Sequence, residues 1–307
     1  MKIGFSICLL FLLFPELHAD NPTVSQEALR SHVEALTSLP VPRNFSNMNS
    51  LKASYRYITD QFDSVGLEPI LHKFKIGSDT FVNIIGTINP EKEEIIVIGA
   101  HYDVCGDQQG ADDNASGVAG LIELAKILSA HKSDIKYQIQ FVGWTNEEPP
   151  FFKTPGMGSY QHAKLLHSMG KKVKLAISLE MIGYFTDSST QEYPTFLMKP
   201  FYPSKGNWIA AVSNFGSRSY LSKVKKAINK NTDIYCRTLF APKSVVGIDF
   251  SDHWSYWQFG YDAIMITNTS FYRTPHYHKK TDTPETLDYI RMGEVVKGVA
   301  YFIKDLN

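Results

Sequence analysis

Cysteine is scarce in this chain of 307 residues: Cys8, Cys105 and Cys236 are all there is. Three cysteines cannot make the disulfide scaffold of a small secreted domain, so a hydrophobic core has to hold the fold. Net charge is missing too, with 31 Lys+Arg against 31 Asp+Glu. That balance excludes the basic surplus of a nucleic-acid binder. The one local basic run, "SKVKKAINK" (Ser222 to Lys230), reads as a solvated helix face. Repeats, linkers and low-complexity tracts are absent, and one domain over residues 20–307 is expected. At 43% hydrophobic and 13% aromatic residues, the composition is that of a globular protein.

Long apolar runs are also wanting, except at the start. "MKIGFSICLLFLLFPELHAD" places Lys2 before an apolar stretch from Ile3 to Phe14, then Pro15 and the small Ala19. Charged start, short apolar core and small-residue exit are the order of a secretory signal. The stretch is shorter than the about 20 residues a membrane-spanning helix needs. Residues 1–19 are therefore expected to be a signal peptide, and the mature chain to be secreted or periplasmic with no membrane segment.

What the chain does have is alternating helix and strand patterning. "SQEALRSHVEALTSL" (Ser25 to Leu39) repeats apolar residues at helical spacing behind Ser25, a suitable N-cap. A second helix is predicted from Ser50 to Val65, ending at Gly66. Strands follow at Phe81–Ile88, Glu93–Asp103 and Tyr137–Trp144, with a helix at Ser116–Ala130 between the last two. The latter strands are almost continuously apolar, as strands buried on both faces are. Further helices are predicted over Gly158–Gly170, from Lys205, from Tyr220 and from Thr283, with strands at Lys172–Gly183 and Ala263–Asn268. This alternation predicts an α/β fold, a three-layer αβα sandwich around a central mixed, mostly parallel sheet.

The chemically active side chains fall just after the strands. His101 and Asp103 end one strand; Asp112 and Asp113 sit in "GADDNASG"; Glu147 and Glu148 follow "IQFVGW"; Glu180 ends "KLAISL"; His278 lies in "FYRTPHYHKKTDT". Open α/β sheets build their ligand sites at that edge. Imidazole and carboxylate donors suit zinc, and a two-metal centre polarises a carbonyl and lowers the pKa of a shared water. Such a centre takes two histidines, a bridging carboxylate, two terminal carboxylates and one more carboxylate to carry protons. The sequence contains that set.

Taken together, "HYD", "GADDNASG", "NEE", "SLEMIGY" and "YHKKTDT" resemble the co-catalytic di-zinc exopeptidases of the bacterial leucyl-aminopeptidase type. Their clan also holds glutamate carboxypeptidases and glutaminyl cyclases. The resemblance runs from about Phe81 to the C-terminus. It implies two zinc ions: His101 and Glu180 on the first, Glu148 and His278 on the second, and Asp113 bridging both. Asp103 would orient the His101 ring, Glu147 would act as general acid/base, and the Asp113–Asn114 peptide would be cis. The substrates implied are peptides with a free N-terminus. Three features depart from the family pattern: Glu180 where Asp is usual, Ile248 in place of an oxyanion-stabilising tyrosine ahead of "SDH", and the insertion "PPFFKTP".

Other residues receive lesser readings. Asp112 is expected to support the site or its turn, the resemblance giving the bridge to Asp113, and His276 competes with His278, which the family's spacing of His four residues before Asp ("HKKTD") favours. His253 is read as a hydrogen-bonded structural histidine, Cys105 as buried or disulfide-bonded, and His131, His162 and His167 as helix-surface residues. Phe151, Phe152, Tyr184, Phe185, Trp254 and Tyr272 are candidates for pocket walls. The favoured function is a zinc aminopeptidase. Its rivals are a one-zinc glutaminyl cyclase, a carboxypeptidase using Arg237 or Arg273, and a binding protein without activity.

Overall fold

The computed structural model describes residues 22–306, so the expected signal peptide lies outside the described residues. Its strands are β1 (Ile70–Ile76), β2 (Asp79–Ile88), β3 (Glu94–His101), β4 (Gln138–Trp144), β5 (Lys172–Glu180), β6 (Trp208–Ser213), β7 (Tyr235–Phe240) and β8 (Ala263–Thr267). They form one sheet in the order β1-β2-β4-β3-β5-β8-β6-β7. The pairings among β4, β3, β5 and β8 are all parallel, as is β6 with β7, while β1–β2, β2–β4 and β6–β8 are antiparallel. The sheet is mixed and mostly parallel, as expected.

Period-two alternation explains how both faces are covered. On β3, Ile96 and Ile98 join one core cluster, whereas Ile95 and Val97 join the other. The first face is covered by helices α1 (Gln26–Thr37), α2 (Met48–Ser64), α3 (Gly117–Ala130), α5 (Arg218–Asn231) and α7 (Tyr289–Asp305). The second carries α4 (Gly158–Ser168) and α6 (His253–Trp257). Fully burying each large aliphatic side chain in these layers contributes about 1.5–3 kcal/mol. Among the described residues no helix is long and apolar enough to cross a membrane.

Local signals account for most boundaries. Ser25 Oγ accepts the Ala28 N–H at the start of α1, satisfying one of the donors a helix N-terminus leaves open. Gly66 follows α2 with φ +77, a conformation glycine adopts without a Cβ penalty. Two expectations need correction. The segment from Lys205 is not a helix but leads into β6, whose six residues are all buried; a short apolar run has no periodicity to separate the two. The terminal helix begins at Tyr289, not Thr283, because Pro284–Thr286 forms a separate turn and Asp288 supplies the N-cap to Arg291 N–H. Strands β1 and β7 lie at the sheet edges, half exposed, and their pattern is correspondingly weak.

Candidate metal centre

Strand order brings the predicted residues together. β4, β3, β5 and β8 are neighbours and run the same way, so their carboxyl ends form one edge. His101 is the last residue of β3, Glu180 the last of β5, and Glu147 and Glu148 follow β4 by three and four residues. The chain adopts positive φ at Asn146 (+59), Met181 (+51) and His278 (+55). Strained backbone at three points beside or at Glu147, Glu180 and His278 is the pattern of a functional site rather than of a packing core.

Two donor groups face each other. His101 Nε2 lies 3.4 Å from Glu180 Oε2 and 3.5 Å from Asp113 Oδ1. His278 Nε2 lies 3.2 Å from Asp113 Oδ2 and 3.4 Å from Glu148 Oε1. Asp113 thus directs one oxygen to each imidazole. Glu147 stands beside both groups, its Oε2 3.9 Å from His101 Nε2. The His101 ring is fixed by its other nitrogen, since Nδ1 donates to the Asp103 carbonyl at 3.2 Å. That assigns the tautomer and leaves Nε2 to face the carboxylates.

Hydrogen bonds from distant segments hold this arrangement. The Asp103 carboxylate accepts the N–H of Glu147 and of Glu148, both at 3.1 Å, and so clamps the "NEE" turn to the end of β3. Asp282 does the same for the other loop, accepting the N–H of Asp112 at 2.8 Å and of Asp113 at 3.0 Å. Asp112 in turn accepts from Gly183 N, Tyr184 N and Asn268 Nδ2. Within the kinked turn Ala111–Ser116 the Asp113–Asn114 peptide is cis. The Glu180 carboxylate accepts from Ser251 Oγ at 2.7 Å. Of these supports Asp282, Ser251 and Asn268 carry no role in the sequence reading. The His278-to-Asp282 spacing in "HKKTD" was the available signal for Asp282.

Electrostatics decides what the cluster can hold. Asp103, Asp112, Asp113, Glu147, Glu148, Glu180, Asp252 and Asp282 are all at most 5% exposed, and the buried Arg43 donates to the Tyr102 and Gly110 carbonyls rather than to any of them. Burial, then the neighbouring Asp113, pushes Glu148 up to about 7. Burial, reinforced by Glu148 and Glu180, pushes Glu147 well above the carboxylate range. For His278, burial is outweighed by Asp113 and Glu148, which raise it to about 10. His101 Nε2 and Glu148 Oε1 are buried without a hydrogen-bond partner. Unpaired buried lone pairs amid surplus negative charge are costly, and bound cations satisfy both at once. The residues present therefore fit divalent metal.

The lesser expectations sort out as follows. His253 Nε2 bonds the Ile248 carbonyl at 2.7 Å, and His276 bonds Thr281 Oγ1 instead of a carboxylate. His162 is not on the surface: it is fully buried against Tyr256 OH at 2.7 Å, because α4 turns that face onto the sheet. Cys105 and Cys236 are unpaired, and Cys105 is half-buried, not sealed in the core. Arg273 is engaged by the Gln191 side chain and the Trp208 carbonyl.

A pocket of about 740 Å³, its open mouth included, adjoins Glu180 and is walled by Tyr193, Trp208, Met265, Phe250, Phe271 and Tyr272. Of the proposed aromatic walls, Tyr272 lines it. Phe152 packs edge-on to Phe250 at 5.6 Å and Lys153 pairs with Asp249 at 2.7 Å, so the "PPFFKTP" insertion braces the pocket from behind. Phe151 turns the other way, onto Phe81 and Phe45.

An α/β sheet carries, at its carboxyl edge, two facing imidazole–carboxylate groups with donor atoms close enough to hold metal ions. The chain belongs to peptidase family M28, whose profile matches residues 83–303. It is 39% identical to the uncharacterized Escherichia coli (strain K12) protein YfbL over 97% of each chain. It is 24% identical to a probable leucine aminopeptidase 1 of Trichophyton verrucosum, covering 73% of this chain but 57% of that protein. The fold is similar to the LapA aminopeptidase of Legionella pneumophila, with TM-score 0.74, 19% identity, and 92% and 72% of the two chains covered. It is also similar to Tannerella forsythia glutaminyl cyclase, with TM-score 0.66, 19% identity, and 92% and 99% covered. Family membership supports a hydrolase, and the fold class stands as read.

Proposed function

We propose that the protein is a zinc-dependent aminopeptidase that removes the N-terminal residue of peptides. The observation that carries this is the pair of donor groups sharing Asp113, set beside an unbonded Glu147. His101, Asp113 and Glu180 would hold one zinc ion, and Asp113, Glu148 and His278 the second. Bound, such ions polarise the scissile carbonyl and make water acidic enough to attack at neutral pH. Glu147 takes the proton from the attacking water and returns it to the departing amine. Its raised pKa suits both halves of that transfer. Asp103 keeps Glu147 and Glu148 in place through their backbone N–H groups.

The surrounding charge supports recognition of an α-ammonium over a carboxylate. Glu192 lines the pocket beside Glu180, and Arg237 is the one arginine in its lining. The pocket's aromatic walls favour large apolar N-terminal side chains, at about 25 cal/mol per Å² of apolar surface buried. Export through the N-terminal signal would place these peptides outside the cytoplasm.

A panel of aminoacyl-amides and peptides, run on purified protein with its metal content measured, tests the proposal. The expected result is release of leucine- or phenylalanine-type residues by protein holding two metal ions per chain. Ammonia release from N-terminal Gln peptides, with no free amino acid from any substrate, would replace hydrolysis with cyclisation. Blocked N-termini cleaved as fast as free ones would rule out an aminopeptidase.

A further inference from the structure

Cys105 stands where neither buried nor surface cysteines usually do. Its ligand atom, one from Glu148 and one from His278 all lie within 4.8 Å of one another. Asp113 Oδ2 lies 3.2 Å from the same His278 nitrogen. Glu148 is 4% exposed, and its Oε1, buried in this group, has no hydrogen-bond partner. The loop is pinned on both sides of the cysteine: Val104 N–H donates to the Arg43 carbonyl at 3.1 Å, and Asn44 Nδ2 donates to the Gly106 carbonyl at 2.6 Å. Glycine at 106, with φ +57, lets the chain turn away immediately after Cys105. The thiol is thereby held at the group instead of swinging into solvent.

We infer that Cys105 Sγ is a fourth protein donor to the second metal position, beside Asp113, Glu148 and His278. This rests on the two-metal reading above and deepens it. Zinc–donor bonds of about 2.0–2.3 Å are reached from the present separations by small side-chain movements. Two consequences follow from the chemistry of sulfur. A thiolate makes this position softer than an all-oxygen-and-nitrogen one, favouring zinc, cobalt and cadmium over manganese and magnesium. It also closes the second position with four protein donors, the arrangement of a structural site, while the His101 group has three and stays open to substrate. The two metals would then divide their work, one holding Asp113 and the loops, the other facing the peptide.

The experiment uses the metal-free full chain titrated with cobalt(II), whose bonds to thiolate absorb strongly in the near-ultraviolet. The unaltered protein is expected to bind two cobalt ions and develop that band, whereas Cys105→Ser and Cys105→Ala lack it. One of the two ions should be held more weakly in both variants, by at least the roughly 10- to 100-fold that loss of a ligand's supporting partner causes. Alkylation of the unaltered protein with iodoacetamide needs no variant: zinc should slow modification of Cys105 at least tenfold, with the fully buried Cys236 as internal control. Two cobalt ions bound without the band, and Cys105 alkylated equally fast with and without zinc, would overturn the inference and leave the aminopeptidase proposal standing. Failure to bind cobalt at all would overturn both.

Discussion

Gly99 offers a sharp test of how the sheet supports the site. It lies on β3 two residues before His101, and a Cβ there would come within 2.4 Å of Trp144 Cη2 and 2.6 Å of Cζ2 and Cζ3. Ordinary contact begins near 3.4 Å, so the indole of Gly99→Ala has to move by about 1 Å, and overpacking on this scale costs about 1–3 kcal/mol. The ring has no free direction: Trp144 is fully buried and packs on Tyr256 at 5.9 Å. The upper end, about 3 kcal/mol, is therefore expected, a fall in Tm of roughly 6 °C at ~2 °C per kcal/mol. Trp144→Phe deletes the very atoms that would clash. The double variant should be more stable than the two single effects predict when added, with a coupling of about 1–2 kcal/mol. Urea unfolding followed by circular dichroism of the four proteins measures it. Additivity to within about 0.5 kcal/mol would refute the steric argument.

Glu147→Gln should retain both metal ions by elemental analysis yet lose about 10²- to 10⁴-fold in kcat; loss of metal along with activity would make Glu147 a ligand instead. Burial pushes His162 down to about 3, against about 6.5 in the unfolded chain. Between those values the unfolded state binds the proton and the folded state does not, so stability falls as pH drops from about 6.5, by on the order of 1 kcal/mol per pH unit. His162→Gln should flatten that slope in pH-dependent unfolding, and an unchanged slope would exclude the buried ring as its source. Ala210, on β6 in the pocket wall, bears on specificity. Ala210→Phe should lower kcat/KM for large apolar N-terminal residues by about 10- to 200-fold relative to alanine. An equal fall for all substrates would place the N-terminal side chain elsewhere.

Much of the centre could be read along the chain because its donors sit at strand ends, and burial on both faces marks β3, β4 and β5 without knowledge of their neighbours. The same local reasoning fails at β6, where six buried residues leave no polar face to betray a period. It fails for His162 as well, since helical spacing does not say which face of α4 meets the sheet. Supports are harder still. Asp282 reaches the N–H of Asp112 across 170 residues of chain, and Ser251 reaches Glu180 across 71. The spacing in "HKKTD" hints at Asp282, but no pattern within a window of the chain records the partner at the far end of either bond.

The division has a physical reason. Sequence by itself determined most of the elements, the α/β class and the candidates His101, Asp113, Glu147, Glu148, Glu180 and His278, because hydrophobic periodicity and donor chemistry are local and the family resemblance chose Asp113 over Asp112 and His278 over His276. Only the tertiary structure decided that Asp113 faces both imidazoles, that Asp103 grips the glutamate turn by its backbone, and that Cys105 stands at the second donor group. Those distances depend on the strand order β4-β3-β5-β8 and on loops meeting above it, and the whole core sets both.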